Sequence, residues 1–106
     1  MGPKGNGSEP AEAVNPAHIV TVRDFSTETL AAIAAQLEAS TDFEHLVYRE
    51  AELDAIWSIT GFFLAVRPHA AERAAVERLH AGAQRAHDLV GEERPREAAA
   101  LLRKFL

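Results

Sequence analysis

A glutamate and a histidine have the spacing that metal-binding helical bundles use. Glu77 and His80 form a Glu-x-x-His pair, which is the ligand pattern of carboxylate-bridged di-iron bundles. Such a centre needs two of these pairs and additional carboxylates, and the sequence contains one pair, so a second subunit would have to supply the other. Glu77 and His80 are therefore candidate metal ligands, although the sequence as a whole predicts neither a metal nor another cofactor.

Three histidines would share one side of the helix that contains this pair. At 3.6 residues per turn, His69, His80 and His87 fall within about 20° of one another, on the boundary between an apolar face and a charged face. His69 and His80 would be about 16 Å apart along that helix, too far to share an ion. We expect half-exposed boundary histidines here, with a pH-sensitive contact as the alternative.

Other residue types that support catalysis do not occur in a suitable pattern. The chain has no cysteine, and its glycines form no phosphate-binding loop. Glu50 and Asp54 are one helical turn apart, but they lie in an acidic stretch, which is typical of a solvated face. The sequence therefore predicts a protein that is not an enzyme.

The composition is that of a single small globular domain. The 106 residues are 47% hydrophobic and 25% charged, with a net charge of -5. Alanine supplies 21 residues, so we expect a thin core between closely packed helices. Arginine outnumbers lysine nine to two, a bias typical of GC-rich bacterial genomes. Neither a signal-peptide pattern nor an apolar span of about 20 residues is present, and we expect a cytoplasmic protein that does not bind membranes.

The charge is unevenly distributed along the chain. Residues 1–66 carry three basic and ten acidic side chains, a net charge of -7, whereas residues 67–106 carry eight basic and six acidic side chains, a net charge of +2. A chain polarised in this way can pair its own halves or associate with another copy of itself.

The pattern of apolar residues predicts four helices that follow an extended arm. Residues 1–17 are rich in glycine and proline and predict a disordered tail, so that residues 18–106 form a single helical domain. The β-branched residues of segment 18–24 predict the extended arm, and Pro95 is well placed to open the last helix. The other predicted boundaries are a first helix over 27–39 with Ser26 as its N-cap, a second helix that starts at a capping box of Thr41 and Glu44, and a third helix over 68–90 with Pro68 in its first position and Gly91 past its end.

The second of these helices contains the strongest apolar feature of the chain. Residues 55–66 include no charged residue. A helix that is apolar on all sides is normally surrounded by protein, so the other three helices could enclose it. Alternatively, one side of it forms a subunit interface, and the large side chains that would anchor such an interface are Trp57, Ile59, Phe62 and Phe63. Because the core is thin, we favour an all-α, four-helix bundle-like domain that dimerisation completes.

The arm and the first two helices give a strand-helix-helix order that has a known counterpart. It consists of Val20-Thr21-Val22-Arg23, a helix, a tight turn, and the second helix around 46–51. With this order, residues 18–56 resemble ribbon-helix-helix DNA-binding proteins. The resemblance implies a dimer in which Thr21 and Arg23 point into the major groove from a shared ribbon. The same segment has two arginines and eight acidic residues, too few cations to neutralise phosphates, so we expect no nucleic-acid partner.

These observations predict a small, non-enzymatic protein–protein interaction or regulatory module. We expect a homodimer that associates through the apolar second helix, with another protein as a further partner. The alternatives are a ribbon-helix-helix-like DNA-binding dimer and a metal-binding helical bundle.

Overall fold

The computed structural model describes residues 21–39 and 42–106, and within these ranges every regular element is an α-helix. The prediction of an all-α, bundle-like fold is confirmed. The predicted tail over 1–17 and residues 18–20 of the predicted arm lie outside the described residues. The four helices are α1 (Val22–Ala39), α2 (Phe43–Val66), α3 (Arg73–Gly91) and α4 (Pro95–Phe105).

Helix α1 begins five residues earlier than its apolar spacing predicts. The hydroxyl of Thr21 accepts a hydrogen bond from the backbone N–H of Asp24 at 3.0 Å, so Thr21 caps the helix and residues 22–24 are helical rather than extended. Ser26, the predicted N-cap, is buried inside α1, and its hydroxyl has no hydrogen-bond partner. The prediction of an extended segment was therefore wrong for residues 22–24, because strand propensity is weaker than the capping bond and the packing of the following turns.

Helix α2 begins at Phe43, with Asp42 in the N-cap position and Glu44 in the first turn. The proposed capping partner Thr41 lies outside the described residues. Helix α2 ends at Val66, where the N–H of Arg67 donates to the carbonyl of Phe63 at 2.8 Å. Pro68 then stops α2, because proline lacks an N–H and disfavours helical geometry at the preceding residue.

Helix α3 starts five residues later than predicted, at Arg73, because residues 67–72 form the turns between α2 and α3. His69 lies in these turns, so it is not on the helix that carries His80 and His87. At its other end α3 is one residue longer than predicted. Gly91 is the last helical residue, and Glu93 adopts the left-handed conformation that reverses the chain. Pro95 opens α4 as predicted.

The helices form a closed ring in which α1 and α3 each pack against both α2 and α4, and α1 also contacts α3 across the centre. Small residues contribute much of the interior, which agrees with the thin core expected from the alanine content. The buried hydrophobic residues are Leu30, Ile33, Ala34, Leu37, Leu46, Leu53, Ile56, Val76, Leu79, Ala83, Ala86, Val90, Ala98, Ala99 and Leu102. No described helix has the length and apolar character needed to cross a membrane.

Candidate functional site

Helix α2 is not enclosed by the other helices. Of its 24 residues, all of which are described, four are buried: Leu46, Leu53, Ile56 and Thr60. The expectation of a helix enclosed by the other three helices was therefore wrong. Large apolar side chains on the same helix remain exposed to solvent, and they are Phe43, Val47, Tyr48, Trp57, Ile59, Phe62 and Val66.

Several of these exposed side chains lie in one line on the side of α2 that faces away from the core. We call this line the outer stripe and define it as Tyr48, Ala55, Ile59, Phe62 and Val66. At 100° per residue its members fall within about 60° of one another, and their mean direction is about 130° from that of the buried residues. Tyr48 is 62% exposed, Phe62 69% and Val66 53%.

The spacing of the outer stripe is that of a helix–helix contact. Its residues follow one another at intervals of seven, four, three and four. Alternating steps of three and four residues keep apolar side chains on the line where two helices pack together. Glu52 occupies the remaining position of this line, between Tyr48 and Ala55. The outer stripe therefore has the pattern of a seam that lacks a partner helix within the described subunit.

The carboxyl-terminal half of the outer stripe borders an open groove of about 680 Å³. One wall comes from α2 and the other includes the start of α1. Phe63 is half-buried and also lines this groove, but it lies about 70° around α2 from the mean direction of the outer stripe. The residues that line the groove are Thr21, Val22, Ser58, Ile59, Phe62, Phe63, Val66, Arg67 and Glu72.

Trp57 lies on a different side of α2 from the other predicted interface residues. It points about 170° away from the outer stripe and stacks on His80 of α3, with ring centroids 5.6 Å apart and an interplanar angle of 15°. Ile59 and Phe62 are thus brought together, and Trp57 is separated from them. Tyr48, Ala55 and Val66 were not among the predicted interface residues, although their spacing continues the three- and four-residue steps of Ile59 and Phe62.

His80 connects α3 to α2. Its Nδ1 is 2.9 Å from the Thr60 hydroxyl, which itself lies 2.8 Å from the carbonyl of Ile56. The imidazole fits closely over Gly61, where an added Cβ would lie 3.1 Å from Cε1 of the ring. The contacts of His80 are those of a structural residue at a helix–helix boundary.

The candidate metal ligands do not converge. The carboxylate of Glu77 pairs with Arg73 at 2.9 Å, whereas His80 is directed at α2. His87 lies 3.8 Å from both Glu50 and Asp88. No group of three or more histidine, aspartate or glutamate residues in ranges 21–39 and 42–106 is arranged to hold a metal ion.

The other candidate residues are also engaged in local contacts. Thr21 caps α1, and Arg23 in the first turn of that helix pairs with Asp24 at 3.3 Å, so neither belongs to a strand as the DNA-binding interpretation requires. Asp54 lines a small pocket of about 160 Å³ together with Trp57 and His87, and Glu50 lies 3.8 Å from the same histidine.

Comparisons with known protein families, with curated proteins and with solved structures found no significant match to this chain.

Proposed function

We propose that this chain is a protein–protein interaction module that forms a homodimer through the outer stripe of α2. The observation that carries this proposal is the alignment of Tyr48, Ile59, Phe62 and Val66 on the solvent side of one helix. Scattered exposed apolar residues are common on monomers, but several large apolar side chains aligned on one side of a helix are typical of an interaction site.

The outer stripe exposes aromatic surface to solvent. An aromatic side chain has a surface of about 200 Å², so Phe62 alone leaves roughly 140 Å² exposed at its observed exposure. Ala55 and Val66 are about 16 Å apart along the helix, which is about three turns over which a second helix can pack. Aromatic side chains at the centre of an interface are also the residues that contribute most to affinity.

The absence of charge in the same region supports a second copy as the partner. Residues 55–66 contain no charged side chain, so two such segments can face each other without burying an unpaired charge, which would be costly. A strongly basic or acidic partner would gain little from this surface. A second copy of α2 offers the same apolar side chains at the same spacing.

The test compares two exposed phenylalanines of α2. Phe62→Ser removes the centre of the outer stripe, and Phe43→Ser is the matched control, because Phe43 is 72% exposed on the same helix but points about 130° away from the outer stripe. In sedimentation equilibrium we expect a dimer for the wild type and for Phe43→Ser. Phe62→Ser should weaken the dimer by about 2 kcal/mol or more, roughly 30-fold in Kd.

A wild-type chain that stays monomeric at high micromolar concentration would refute the proposal. Equal weakening by both substitutions would assign the interface to a different side of α2. Far-UV circular dichroism of each variant separates loss of association from loss of folding, and we expect unchanged helicity because neither phenylalanine is buried.

A further inference from the structure

We propose, as an extension of the proposed homodimer, that the two α2 helices pair antiparallel in one defined register. In this register Ile59 of each subunit packs against Phe62 of the partner subunit. Glu52 then lies next to Arg67 of the partner subunit. The position of Glu52 in the line of the outer stripe distinguishes this arrangement from the others.

A parallel pair is disfavoured by Glu52. In a parallel two-helix contact each residue of the seam faces its own copy. Glu52 would then face the Glu52 of the other subunit inside an apolar seam, which combines like-charge repulsion with the cost of removing two carboxylates from water. The bidentate pair that Glu52 makes with Arg49, at 2.6 and 3.0 Å, would not relieve this, because Arg49 points to the inner side of α2.

An antiparallel pair avoids this conflict in one register. When Ile59 faces Phe62, Ala55 faces Val66, so a small side chain accommodates a branched one. Counting along the same register, Glu52 falls about one turn past the end of the partner's α2, beyond Val66. The chain leaves α2 at this point through Arg67, which is exposed. The carboxylate of Glu52 thus remains at the solvent edge beside a guanidinium group of opposite charge.

The two neighbouring antiparallel registers are less favourable. A shift of one heptad towards the amino terminus places Glu52 opposite Phe62 and buries a carboxylate against an aromatic ring. A shift in the other direction leaves only Phe62 and Val66 in contact, so that Ile59 and Ala55 lose their partners. The charge of α2 supports the same choice, because its amino-terminal half is acidic and the cation Arg67 follows its carboxyl end.

Engineered cysteines test the orientation directly, since the chain has no cysteine of its own. Ala55→Cys and Val66→Cys are made separately, one with a mass tag, and are oxidised alone and as a mixture. We expect a disulfide-linked heterodimer from the mixture and little product from either variant alone. In the proposed register position 55 of one subunit lies opposite position 66 of the other. Two copies of position 55 are about 16 Å apart, well beyond the distance of about 7 Å that a disulfide can span.

The outcomes separate failure of the orientation from failure of the homodimer itself. Crosslinking of each variant with itself, and not with the other, would show parallel pairing and overturn the proposed register. Absence of product in every arm, with a wild type that sediments as a dimer, would also overturn it. A monomeric wild type would refute the proposed function as a whole.

A charge exchange provides an independent measurement. Glu52→Arg and Arg67→Glu should each raise the dimer Kd about fivefold, because each places like charges next to each other across the interface. The double variant restores opposite charges and should return to within about twofold of the wild type. A double variant no better than the two single variants would contradict the contact between Glu52 and Arg67.

Discussion

Glu93 holds the backbone in a conformation that its side chain disfavours. Its φ of 61° is the only positive φ of a residue other than glycine in the described part of the chain. The N–H of Arg94 donates to the carbonyl of Leu89 at 2.9 Å, and the N–H of Glu93 donates to that of Val90 at 2.9 Å. These two bonds form the Schellman motif, whose left-handed position is usually glycine.

We therefore expect Glu93→Gly to stabilise the fold, by about 1 kcal/mol in the free energy of unfolding measured with urea. The gain arises because glycine adopts a positive φ without steric cost. Glu92→Gly is the control, since Glu92 has a φ of -89° and glycine there should lower the free energy of unfolding by about 0.5–1 kcal/mol. Equal destabilisation by the two substitutions would contradict this account.

The sequence predicted this end of α3 to within one residue. The apolar spacing ended the helix at residue 90, with Gly91 past its end. The hydrogen bonds of the last turn instead place the chain reversal at Glu93, beyond the last buried residue of α3, Val90. Glutamate does not favour a positive φ, so the residue at position 93 gave no sign of this conformation and single-residue preferences could not predict it.

At the scale of the helices, Gly82 allows α3 and α4 to pack closely together. A Cβ added to Gly82 would lie 2.9 Å from Cγ and 3.1 Å from Cβ of Phe105. The Cβ of Phe105 is fixed to the backbone of α4, so relief of this contact requires the helix to move. Arg78 of α3 makes a cation–π contact with the same ring, and its guanidinium carbon lies 5.1 Å from the ring centroid.

Gly82→Ala should consequently lower the free energy of unfolding by about 1–3 kcal/mol through overpacking, despite the higher helix propensity of alanine. The sign should reverse when the clash is removed. In a Phe105→Ala background the same substitution should stabilise the protein by about 0.5–1 kcal/mol. Thermal or urea unfolding of the four proteins measures both effects, and an unchanged sign in the second background would contradict the proposed contact.

The order of helices was predictable, but the orientation of α2 was not. Amphipathic spacing located α1 and α4, and Pro95 located the start of α4, because in these helices polar residues mark the solvent side. Residues 55–66 contain no charged side chain that would identify the solvent side of the helix. In the sequence, apolar residues on the core side therefore look the same as apolar residues on the solvent side. Only the packing shows that Ile56 faces the core and Ile59 does not.

Across the whole molecule, one ion pair connects the first and last described helices. Arg103 of α4 donates to both carboxylate oxygens of Glu38 in α1, at 2.9 and 3.2 Å. The hydrogen bond from Arg103 lowers the pKa of Glu38 below its ordinary value of 4.5, and the charges of Arg103 and Arg96 act in the same direction. Because the folded-state pKa is depressed, this pair stabilises the fold above about pH 4.5 and ceases to do so as the pH falls through the folded-state pKa.

We expect Glu38→Gln to reduce the dependence of the melting temperature on pH between about pH 6 and pH 3. The wild type should lose more stability than the variant over this range, and added salt should diminish the difference, since both side chains are solvent-exposed. Arg103→Gln should produce the same change, and the double variant should add nothing further. Identical pH profiles for the wild type and both single variants would contradict a contribution from this pair.

The outer stripe and the buried face of α2 have no residue in common. Substitutions at positions 48, 55, 59, 62 and 66 therefore leave the interior of the subunit intact, and selection on folding does not restrain them. Duplicated genes of such a chain can diverge in this line of residues alone, for example by exchanging the charges at positions 52 and 67. The descendants would share one fold and yet assemble preferentially with their own kind.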